Sequence, residues 1–321
     1  MNKVINVLQV GLGPIGLGIS KVLSSKKWVQ IVGAIDIDPE KQGQDLGRLI
    51  GQKDWGVKIT KDLNLTLKNK SIDIAIFTTS SKAKVLETQI ELLLKAKIPV
   101  VTTCEELSFP WMTVEKVARR IDTLAIENGV SVLSTGVNPG FLMDFLPSVS
   151  TCICHSISQI KVERIQDASM RRQPFRQKIG VGLSKEEFEG RVKKKLIRHV
   201  GLRESVYFLA HQFGWVLDEV VETLLPVLDD DNRAKGLNQR AVGYVGKKEK
   251  IILEFVAFEG AKEPKDIISI QGEPNLEVSI GPQVNGDMAT TAIIVHAIPS
   301  VLQARPGLRT MGDIGPITYR E

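Results

Sequence analysis

The stretch VINVLQVGLGPIG at residues 4–16 decides the fold of this 321-residue chain. Its first half, Val4 to Val10, is an apolar run with the length of a buried strand, and Gly11, Gly13 and Gly16 follow it. A G-x-G-x-x-G turn that leaves a strand and opens a helix is typical of a dinucleotide-binding domain. The alternative interpretation is a glycine-rich turn that holds no ligand, which this strand–turn–helix context disfavours.

Each glycine of the turn has its own predicted role in holding a pyrophosphate. Gly11 permits the tight turn, Gly13 lets the backbone approach the phosphates, and Gly16 allows the helix to pack closely on the strand. Pro14 stands where the first turn of a helix tolerates proline. Together with Ile15 it belongs to the helix start, whose unpaired N–H groups are expected to face the phosphate charge.

An acidic residue ends the second predicted strand. Asp36 follows Val29 to Ile35 and lies about 20 residues after Gly16, where a carboxylate accepts hydrogen bonds from the adenine ribose. Its charge would repel a 2′-phosphate, so NAD is favoured as the cofactor. Lys41 is close enough in sequence to weaken that repulsion, which leaves NADP open. The alternative is that Asp36 only starts the turn at Asp38-Pro39.

Strand and helix patterns alternate through the first 135 or so residues, which predicts a parallel sheet with helices on both faces. The further predicted strands are Ile72–Phe77, Pro99–Thr103 and Val130–Leu133, and the further predicted helices are Val85–Leu94 and Pro110–Glu127.

The pattern changes after Asn138-Pro139-Gly140, where strands begin to follow one another. This indicates a second α+β domain with a mainly antiparallel sheet. Its predicted strands are Ser156–Val162, Val220–Leu225, Ala241–Val245, Ile251–Phe258, Ile267–Ile270 and Leu276–Ile280. A capping box at Ser184 to Glu187 starts a helix, and an apolar helix is predicted at Asp287–Leu302.

The predicted fold class is therefore α/β, a Rossmann doubly wound parallel sheet joined to a second α+β domain. The expected domains are residues 1–137 for the dinucleotide, 138–286 for substrate binding and dimerisation, and 287–321 as a helix and tail that return to the Rossmann domain.

Small hydroxyl side chains follow the fourth apolar run of the chain. Thr78, Thr79 and Ser80 come at its carboxyl end, the edge on which this fold places the ribose and nicotinamide. We predict that they bind the cofactor together with Thr103 and Asn138. Capping of the next helix is a second role for the hydroxyl residues, compatible with the first.

Two adjacent carboxylates, Glu105 and Glu106, follow the next strand pattern. A carboxylate beside the carbon that gives up hydride could take a proton from an ammonium group and stabilise the iminium that follows. The spacings from Thr102 to Glu105 and from Thr103 to Glu106 also fit a helix-capping box. Both residues are catalytic candidates, and Glu105, nearer the strand end, is favoured.

Residues 167–178 are rich in arginine, lack a clear period and are predicted to form an irregular loop. Arg171 and Arg172 could hold a substrate carboxylate through paired hydrogen bonds. A basic surface loop or a dimer contact is the alternative. Asn138 and Phe141, at the change of pattern, are predicted to shape the substrate pocket.

Composition argues against several other classes of protein. The net charge of +5 comes from scattered basic residues that are not interleaved with aromatic ones, so we expect no nucleic-acid partner. Three cysteines form no disulfide framework, and no apolar run is long enough to cross a bilayer. We therefore expect a cytoplasmic protein without membrane contact. Cys152-Ile153-Cys154-His155 lacks a second ligand cluster, so no metal is expected.

Several motifs along the chain resemble those of known protein families. Its N-terminal half resembles the nucleotide-binding domain of dihydrodipicolinate reductases, and the whole chain resembles the family of 2,4-diaminopentanoate dehydrogenases and native amine dehydrogenases. The motifs that carry the resemblance are Ala34 to Pro39, Thr103 to Trp111, Gly136 to Phe141, Asp167-Ala168-Ser169, Arg171-Arg172, Lys178-Ile179-Gly180, Gly286 to Thr291 and Pro306 to Met311.

The resemblance implies NAD(P)-linked oxidative deamination of an amine carbon, reversible as reductive amination of a ketone with ammonia. It maps the family's catalytic glutamate onto the pair Glu105 and Glu106, and it implies a homodimer. The paired histidines and the Ser-Gly-Thr loop of true dihydrodipicolinate reductases do not occur here.

The leading hypothesis is an amine dehydrogenase for a small amine or diamino acid, with 2,4-diaminopentanoate as the best candidate. The alternatives are a cyclic imine reductase of the dihydrodipicolinate reductase type and a regulatory protein that binds a dinucleotide without turnover.

Overall fold

A computed structural model describes residues 4–171, 173–282 and 284–321. The chain divides into two compact units: the first comprises Met1–Gly140 and Gly286–Glu321, and the second comprises Phe141–Asn285.

The strands and helices are labelled separately in chain order. The strands are β1 (Ile5–Val10), β2 (Val29–Ile35), β3 (Ile59–Thr60), β4 (Ile74–Phe77), β5 (Val100–Thr102), β6 (Ser131–Ser134), β7 (Ser156–Asp167), β8 (Glu219–Leu228), β9 (Ala234–Val245), β10 (Lys248–Phe258), β11 (Lys265–Glu273), β12 (Leu276–Ile280) and β13 (Gly307–Arg309). The helices are α1 (Pro14–Ser24), α2 (Leu46–Leu49), α3 (Leu63–Asn69), α4 (Ala83–Lys95), α5 (Glu115–Glu127), α6 (Phe145–Ser150), α7 (Gln173–Lys178), α8 (Lys185–Lys193), α9 (Leu202–Gln212) and α10 (Gly286–Gln303). Short 3-10 turns occur at Pro39–Lys41, Glu105–Leu107, Pro110–Met112 and Thr151–Ile153.

The first unit is built on a parallel sheet with the strand order β13-β6-β5-β4-β1-β2-β3. Strand β1 lies between β4 and β2 and pairs in parallel with both. The order reverses at β1, and in such sheets the ligand lies beyond the carboxyl ends of the strands at that point. The predicted doubly wound parallel sheet is confirmed.

Helices cover both faces of this sheet. On one face, Leu8 and Phe77 of the sheet share a core with Ile90 of α4 and Ile121 of α5. On the other face α1 packs against α10, so closely that a Cβ added at Gly18 would lie 2.9 Å from Cγ2 of Thr291. The C-terminal segment therefore belongs to this unit and contributes its edge strand, β13.

The second unit contains a sheet with the order β12-β11-β7-β10-β9-β8. Strands β7 and β10 pair in parallel, and the other neighbours are antiparallel. Helix α9 packs on one face, where a Cβ added at Gly243 would lie 3.0 Å from Cγ1 of Val206. The predicted α+β character with a mainly antiparallel sheet is confirmed.

Several local predictions differ from the structure, and three examples show the reasons. The single helix predicted at Pro110–Glu127 is a 3-10 turn at Pro110–Met112 followed by α5, because the β-branched pair Thr113-Val114 disfavours helical continuation. The predicted loop at 167–178 contains α7. Helix α9 was not predicted, since it begins at Gly201 without a side-chain cap that a sequence pattern would reveal.

Candidate functional site

The glycine turn between β1 and α1 is built by close backbone contacts. Gly11 has φ = +87°, and a Cβ there would lie 2.8 Å from the carbonyl oxygen of Thr78. At Gly16 a Cβ would lie 2.0 Å from the carbonyl oxygen of Gly11, so only glycine lets α1 approach the turn. The two glycines thus fix the shape of the turn.

The entrance to α1 is open, in contrast to these two positions. No atom lies within 4 Å of a Cβ built on Gly13. Gly13 is also the N-cap of α1, and it offers no side chain to the helix. The helical ladder begins with the bond from the Leu17 N–H to the Gly13 oxygen at 2.9 Å, so the N–H groups of Ile15 and Gly16 precede it. Exposed Pro14 occupies the first helical position. The entrance therefore combines open space with the start of a helix, an arrangement that can bind an anion.

The carboxylate of Asp36 lies beside the glycine turn. Oδ2 accepts a hydrogen bond from the Leu12 N–H at 2.6 Å, and Oδ1 accepts one from the Asp38 N–H at 2.9 Å. The side chain is only 10% exposed. Two backbone bonds orient the carboxylate, and Oδ1 keeps a further lone pair with which it can accept a hydroxyl proton.

Lys41 lies next to this carboxylate. Its Nζ is 3.5 Å from Oδ2 of Asp36 and 3.1 Å from Oδ2 of Asp38. Burial alone would lower the pKa of Lys41, but its hydrogen bond to Asp38 and the charge of Asp36 together raise that pKa above its ordinary value. A permanent positive charge therefore stands beside the position that a ribose 2′-substituent would approach.

The hydroxyl residues after β4 make contacts within the first unit. Thr78 Oγ1 donates to the Gly11 oxygen at 2.8 Å and so supports the glycine turn. Thr79 Oγ1 donates to Oε1 of Gln89 at 2.6 Å, and Ser80 Oγ accepts from the Lys82 N–H at 3.0 Å.

The carboxylates Glu105 and Glu106 follow β5 in one 3-10 turn and have different surroundings. Oε2 of Glu106 accepts a hydrogen bond from the Ala83 N–H at 3.0 Å, which caps the first residue of α4. Among the residues that the structure describes, none makes a hydrogen bond or ion pair with the carboxylate of Glu105. Neither of the predicted capping boxes forms, because Cys104 is the N-cap of this turn.

The neighbours of the acidic pair are fixed by the sheet. The Thr103 N–H donates to the Phe77 oxygen at 3.1 Å, which ties the end of β5 to β4. Burial, with added repulsion from Glu105 and Glu106, raises the pKa of the Cys104 thiol far above its ordinary value. Cys104 is therefore a neutral packing residue behind the carboxylates and not a nucleophile.

Asn138 lies in a loop of the first unit that is held by α10. The loop follows β6, and the N–H of Val137 donates to Oγ1 of Thr290 at 3.2 Å. Close packing continues at Gly140, where a Cβ would lie 2.5 Å from the Gly136 nitrogen. Asn138 itself is half-buried.

In the second unit, Phe141 packs near Phe145, with ring centroids 6.4 Å apart. The guanidinium carbon of Arg171 lies 4.2 Å from the ring centroid of Phe175 on α7. Arg172 lies outside the described residues. Asp167 closes the turn before Arg171 by accepting from the N–H groups of Ser169 and Gly260, both at 3.0 Å.

Two general features bear on the kind of protein. In the described part of the chain no helix has the length and apolar character that a membrane crossing requires. Over the same residues, no cluster of three or more His, Cys, Asp or Glu side chains is arranged to hold a metal ion.

Two family models match the chain. The model described as 2,4-diaminopentanoate dehydrogenase C-terminal domain matches residues 141–319, and the model described as dihydrodipicolinate reductase, N-terminus, matches residues 5–128. The chain is 30% identical over 340 residues to 2,4-diaminopentanoate dehydrogenase of Acetoanaerobium sticklandii, an alignment that covers 98% of this chain and 94% of that protein.

The chain belongs to the 2,4-diaminopentanoate dehydrogenase family. The resemblance stated from its motifs is therefore confirmed, and the chain is an NAD(P)-dependent oxidoreductase, not a regulatory protein without turnover.

Two further comparisons concern amine dehydrogenases. An amine dehydrogenase of Streptomyces virginiae is 23% identical over 343 residues, covering 95% of this chain and 94% of that protein. The structure of an amine dehydrogenase from Mycobacterium smegmatis superposes with a TM-score of 0.86 at 22% identity, covering 99% and 97% of the two chains. At that identity the superposition shows only that the two chains share a fold.

Sequence reasoning missed two buried polar features of this family member. Gln9, the penultimate residue of β1, contacts the glycine turn. Arg164 on β7 lies opposite Asp266 on β11, with Nε 3.5 Å from Oδ1 and both side chains almost fully buried. A charged residue within an alternating strand pattern is the only signal that the sequence offers for such a pair, and its partner 102 positions later is set by strand register.

Proposed function

We propose that this chain is an NAD(P)-dependent amine dehydrogenase that deaminates a small amine or diamino acid reversibly, and that 2,4-diaminopentanoate is its substrate. The observation that carries the proposal is Glu105, a carboxylate at the carboxyl edge of a dinucleotide-binding sheet that makes no hydrogen bond or ion pair within the described residues. The 30% identity to a 2,4-diaminopentanoate dehydrogenase over nearly the full chain supports the choice of substrate.

The proposed cofactor site is the glycine turn. Gly11 and Gly16 shape it, Gly13 with Pro14 and Ile15 leaves room for the pyrophosphate, and the carboxylate of Asp36 would accept the ribose hydroxyls. We propose NAD as the preferred cofactor, because a 2′-phosphate would meet the negative charge of Asp36. Lys41 would reduce that penalty and permit slower use of NADP.

The other residues of the predicted cofactor set keep their proposed roles. Thr78 would act by holding the turn, while Thr79, Ser80, Thr103 and Asn138 would border the ribose and nicotinamide. When bound, the cofactor would supply the hydride acceptor.

The proposed base is Glu105. It would take a proton from the substrate ammonium group, which frees the nitrogen lone pair to expel hydride from the neighbouring carbon. Once Glu105 has released that proton to solvent, its carboxylate would again be negative and would stabilise the positive iminium and orient a water molecule. Addition of water and departure of ammonia would leave a ketone, which for 2,4-diaminopentanoate is 2-amino-4-oxopentanoate.

The proposed substrate residues are Asn138, Phe141, Arg171 and Arg172. Phe141 would contribute apolar surface and Asn138 a polar amide. The arginines would recognise a substrate carboxylate, since a guanidinium fork matches its two oxygens. An amine without a carboxylate would then bind more weakly than a diamino acid.

We further propose that the working form is a homodimer in a reducing compartment such as the cytoplasm, where the free Cys104, Cys152 and Cys154 would stay reduced. Helix α9 covers one face of the second sheet. The opposite face presents Ile165, Val256 and Leu225, the last 63% exposed. Such a surface is suited to a second copy of the same chain.

The test is a substrate panel assayed by NADH or NADPH absorbance with each cofactor separately. It contains 2,4-diaminopentanoate, its analogue without the carboxylate, simple ketones with ammonia, and a dihydrodipicolinate-type cyclic imine. We expect turnover of the diamino acid with NAD, and weaker turnover of the analogue. Reduction of the cyclic imine alone would overturn the proposal in favour of an imine reductase.

A further inference from the structure

A fully buried amide side chain lies beneath the glycine turn. Gln9, the penultimate residue of β1, has 0% exposure, while its neighbours Leu8 and Val10 belong to the apolar core. Burying a carboxamide costs free energy unless its polar atoms are hydrogen-bonded. An apolar residue would fill this position without that cost, so the contacts of Gln9 identify its role.

Both N–H groups of the Gln9 amide are used at the turn. Nε2 donates to the Gly11 oxygen at 3.0 Å and to Oγ1 of Thr78 at 3.1 Å. Thr78 Oγ1 in turn donates to the same Gly11 oxygen at 2.8 Å. Because a carbonyl oxygen only accepts hydrogen bonds, these contacts also fix which end of the amide faces the turn. The Gly11 carbonyl is thus held by two donors.

That carbonyl belongs to the same peptide unit as the Leu12 N–H. The peptide is planar, so its C=O and N–H move together. The Leu12 N–H donates to Oδ2 of Asp36 at 2.6 Å. One rigid peptide therefore joins Gln9 and Thr78 at its carbonyl end to Asp36 at its amide end.

We propose that Gln9 is a positioning residue that sets the carboxylate of Asp36 for the adenine ribose and thereby favours NAD over NADP. This inference rests on the proposed function only in taking Asp36 as the ribose-binding residue. Loss of the Gln9 amide leaves the Gly11 carbonyl with Thr78 alone of its two donors, so the Gly11–Leu12 peptide is held less firmly. The bond from the Leu12 N–H to Oδ2 then weakens, and the carboxylate loses part of its orientation. The binding of NAD, which depends on that carboxylate, therefore weakens more than the binding of NADP, whose 2′-phosphate the carboxylate repels.

The experiment compares Gln9→Met, which keeps the length of the side chain but removes its donors, with the wild type. Dinucleotide affinity is measured by calorimetry without substrate. We expect the Kd for NAD to rise about tenfold, the value of one hydrogen bond of roughly 1.4 kcal/mol, and the Kd for NADP to change by less than about threefold. In steady-state kinetics we expect the KM for NAD to rise and kcat to stay unchanged.

Gln239→Met is the matched control. Gln239 is also 0% exposed, but it lies on β9 in the second unit and donates to the His199 oxygen at 2.8 Å and Oε1 of Glu222 at 2.6 Å. It should lose stability without changing the ratio of NAD to NADP affinity. Equal weakening of both cofactors in Gln9→Met, or no weakening of NAD, overturns the inference.

If Gln9→Met does not fold, Thr78→Val carries the same test, because it removes one of the two donors to the Gly11 carbonyl. Selective loss of NAD affinity supports the inference, and an unchanged affinity ratio overturns it. A wild-type protein that binds neither dinucleotide would instead overturn the proposed function. Selective NAD binding without turnover of any amine would leave the role of Gln9 standing and overturn only the proposed reaction.

Discussion

At the scale of single residues, two neighbouring glutamates of the same turn have different chemistry. Glu106 is engaged by the Ala83 N–H at 3.0 Å, while Glu105 has no such contact within the described chain. The bond to the Ala83 N–H holds one oxygen of Glu106 against the start of α4, whereas no such bond fixes the direction of the Glu105 carboxylate within the described chain. The hydrogen-bonding pattern therefore supports Glu105 as the proposed base and shows Glu106 as a helix cap.

We expect Glu105→Gln to lower kcat at least about 100-fold, the usual contribution of a general base, with the Kd for NAD unchanged. Glu106→Gln is the matched variant, because an amide oxygen can still accept from the Ala83 N–H. It should keep most of the activity. Steady-state kinetics with the diamino acid and calorimetry with NAD check both. Full activity in Glu105→Gln would remove it as the base.

A second residue-scale prediction concerns His199 and acid. Burial, together with the positive charges of Lys178 and Arg164, lowers the pKa of His199 to about 3 from an ordinary value of 6.5. Between these values the unfolded chain binds a proton that the native chain does not. The free energy of unfolding therefore falls as the pH falls below about 6.5, by at most about 1.4 kcal/mol per pH unit.

Denaturant unfolding at about pH 7 and about pH 5.5 measures this loss, which should be smaller in His199→Gln. Phe255→Leu is the control, since the Phe255 ring stacks on His199 with centroids 4.4 Å apart but carries no titrating group. This variant should lower the free energy of unfolding at both pH values and leave its change with pH as in the wild type. The same slope in His199→Gln as in the wild type would contradict the prediction.

At the scale of elements, the register of β7 and β11 places Arg164 opposite Asp266. Arg164 Nη2 also donates to the Val284 oxygen at 3.0 Å, which ties the segment after β12 to the sheet. Burial lowers the pKa of Arg164 and raises that of Asp266, while their mutual attraction opposes both shifts. The two strands are thus joined by a buried charge pair. Removing one of its two members would lower the free energy of unfolding.

We expect Asp266→Asn to lower the free energy of unfolding by about 3–5 kcal/mol, because it leaves the Arg164 charge buried without its partner. The double variant Arg164→Met with Asp266→Leu should lose much less. Glu249→Gln, in the half-exposed pair with Arg240, is the control and should cost under about 1 kcal/mol. Urea unfolding compares the variants, and an Asp266→Asn protein as stable as the wild type would contradict this account.

At the scale of the whole molecule, the proposed homodimer depends on the second sheet. We expect sedimentation equilibrium to give a dimer, and Leu225→Glu to shift it toward monomer by placing a charge on the face opposite α9. Leu65→Glu is the control: Leu65 is 53% exposed on α3 of the first unit and should leave the mass unchanged. A monomeric wild type, or a Leu225→Glu protein that stays dimeric, would argue against this face.

The local patterns predicted most elements of the first unit within about two residues, because strands, glycine turns and caps are decided by neighbours in sequence. The capping box at Ser184, for example, forms as predicted. What the patterns missed depends on distant contacts. Glu106 caps a helix that starts 23 positions earlier, and Gln9 reaches Thr78 across 69 positions.

By itself, the sequence determined that this chain forms a Rossmann sheet with a second, mainly antiparallel unit, and which family it belongs to. Glycine spacing, strand alternation and short motifs carry that information locally. Only the tertiary structure decided which carboxylate caps a helix, which buried amide supports the glycine turn, and which arginine pairs with Asp266. Those outcomes depend on strand order and register, which bring together donors and acceptors that no spacing along the chain relates.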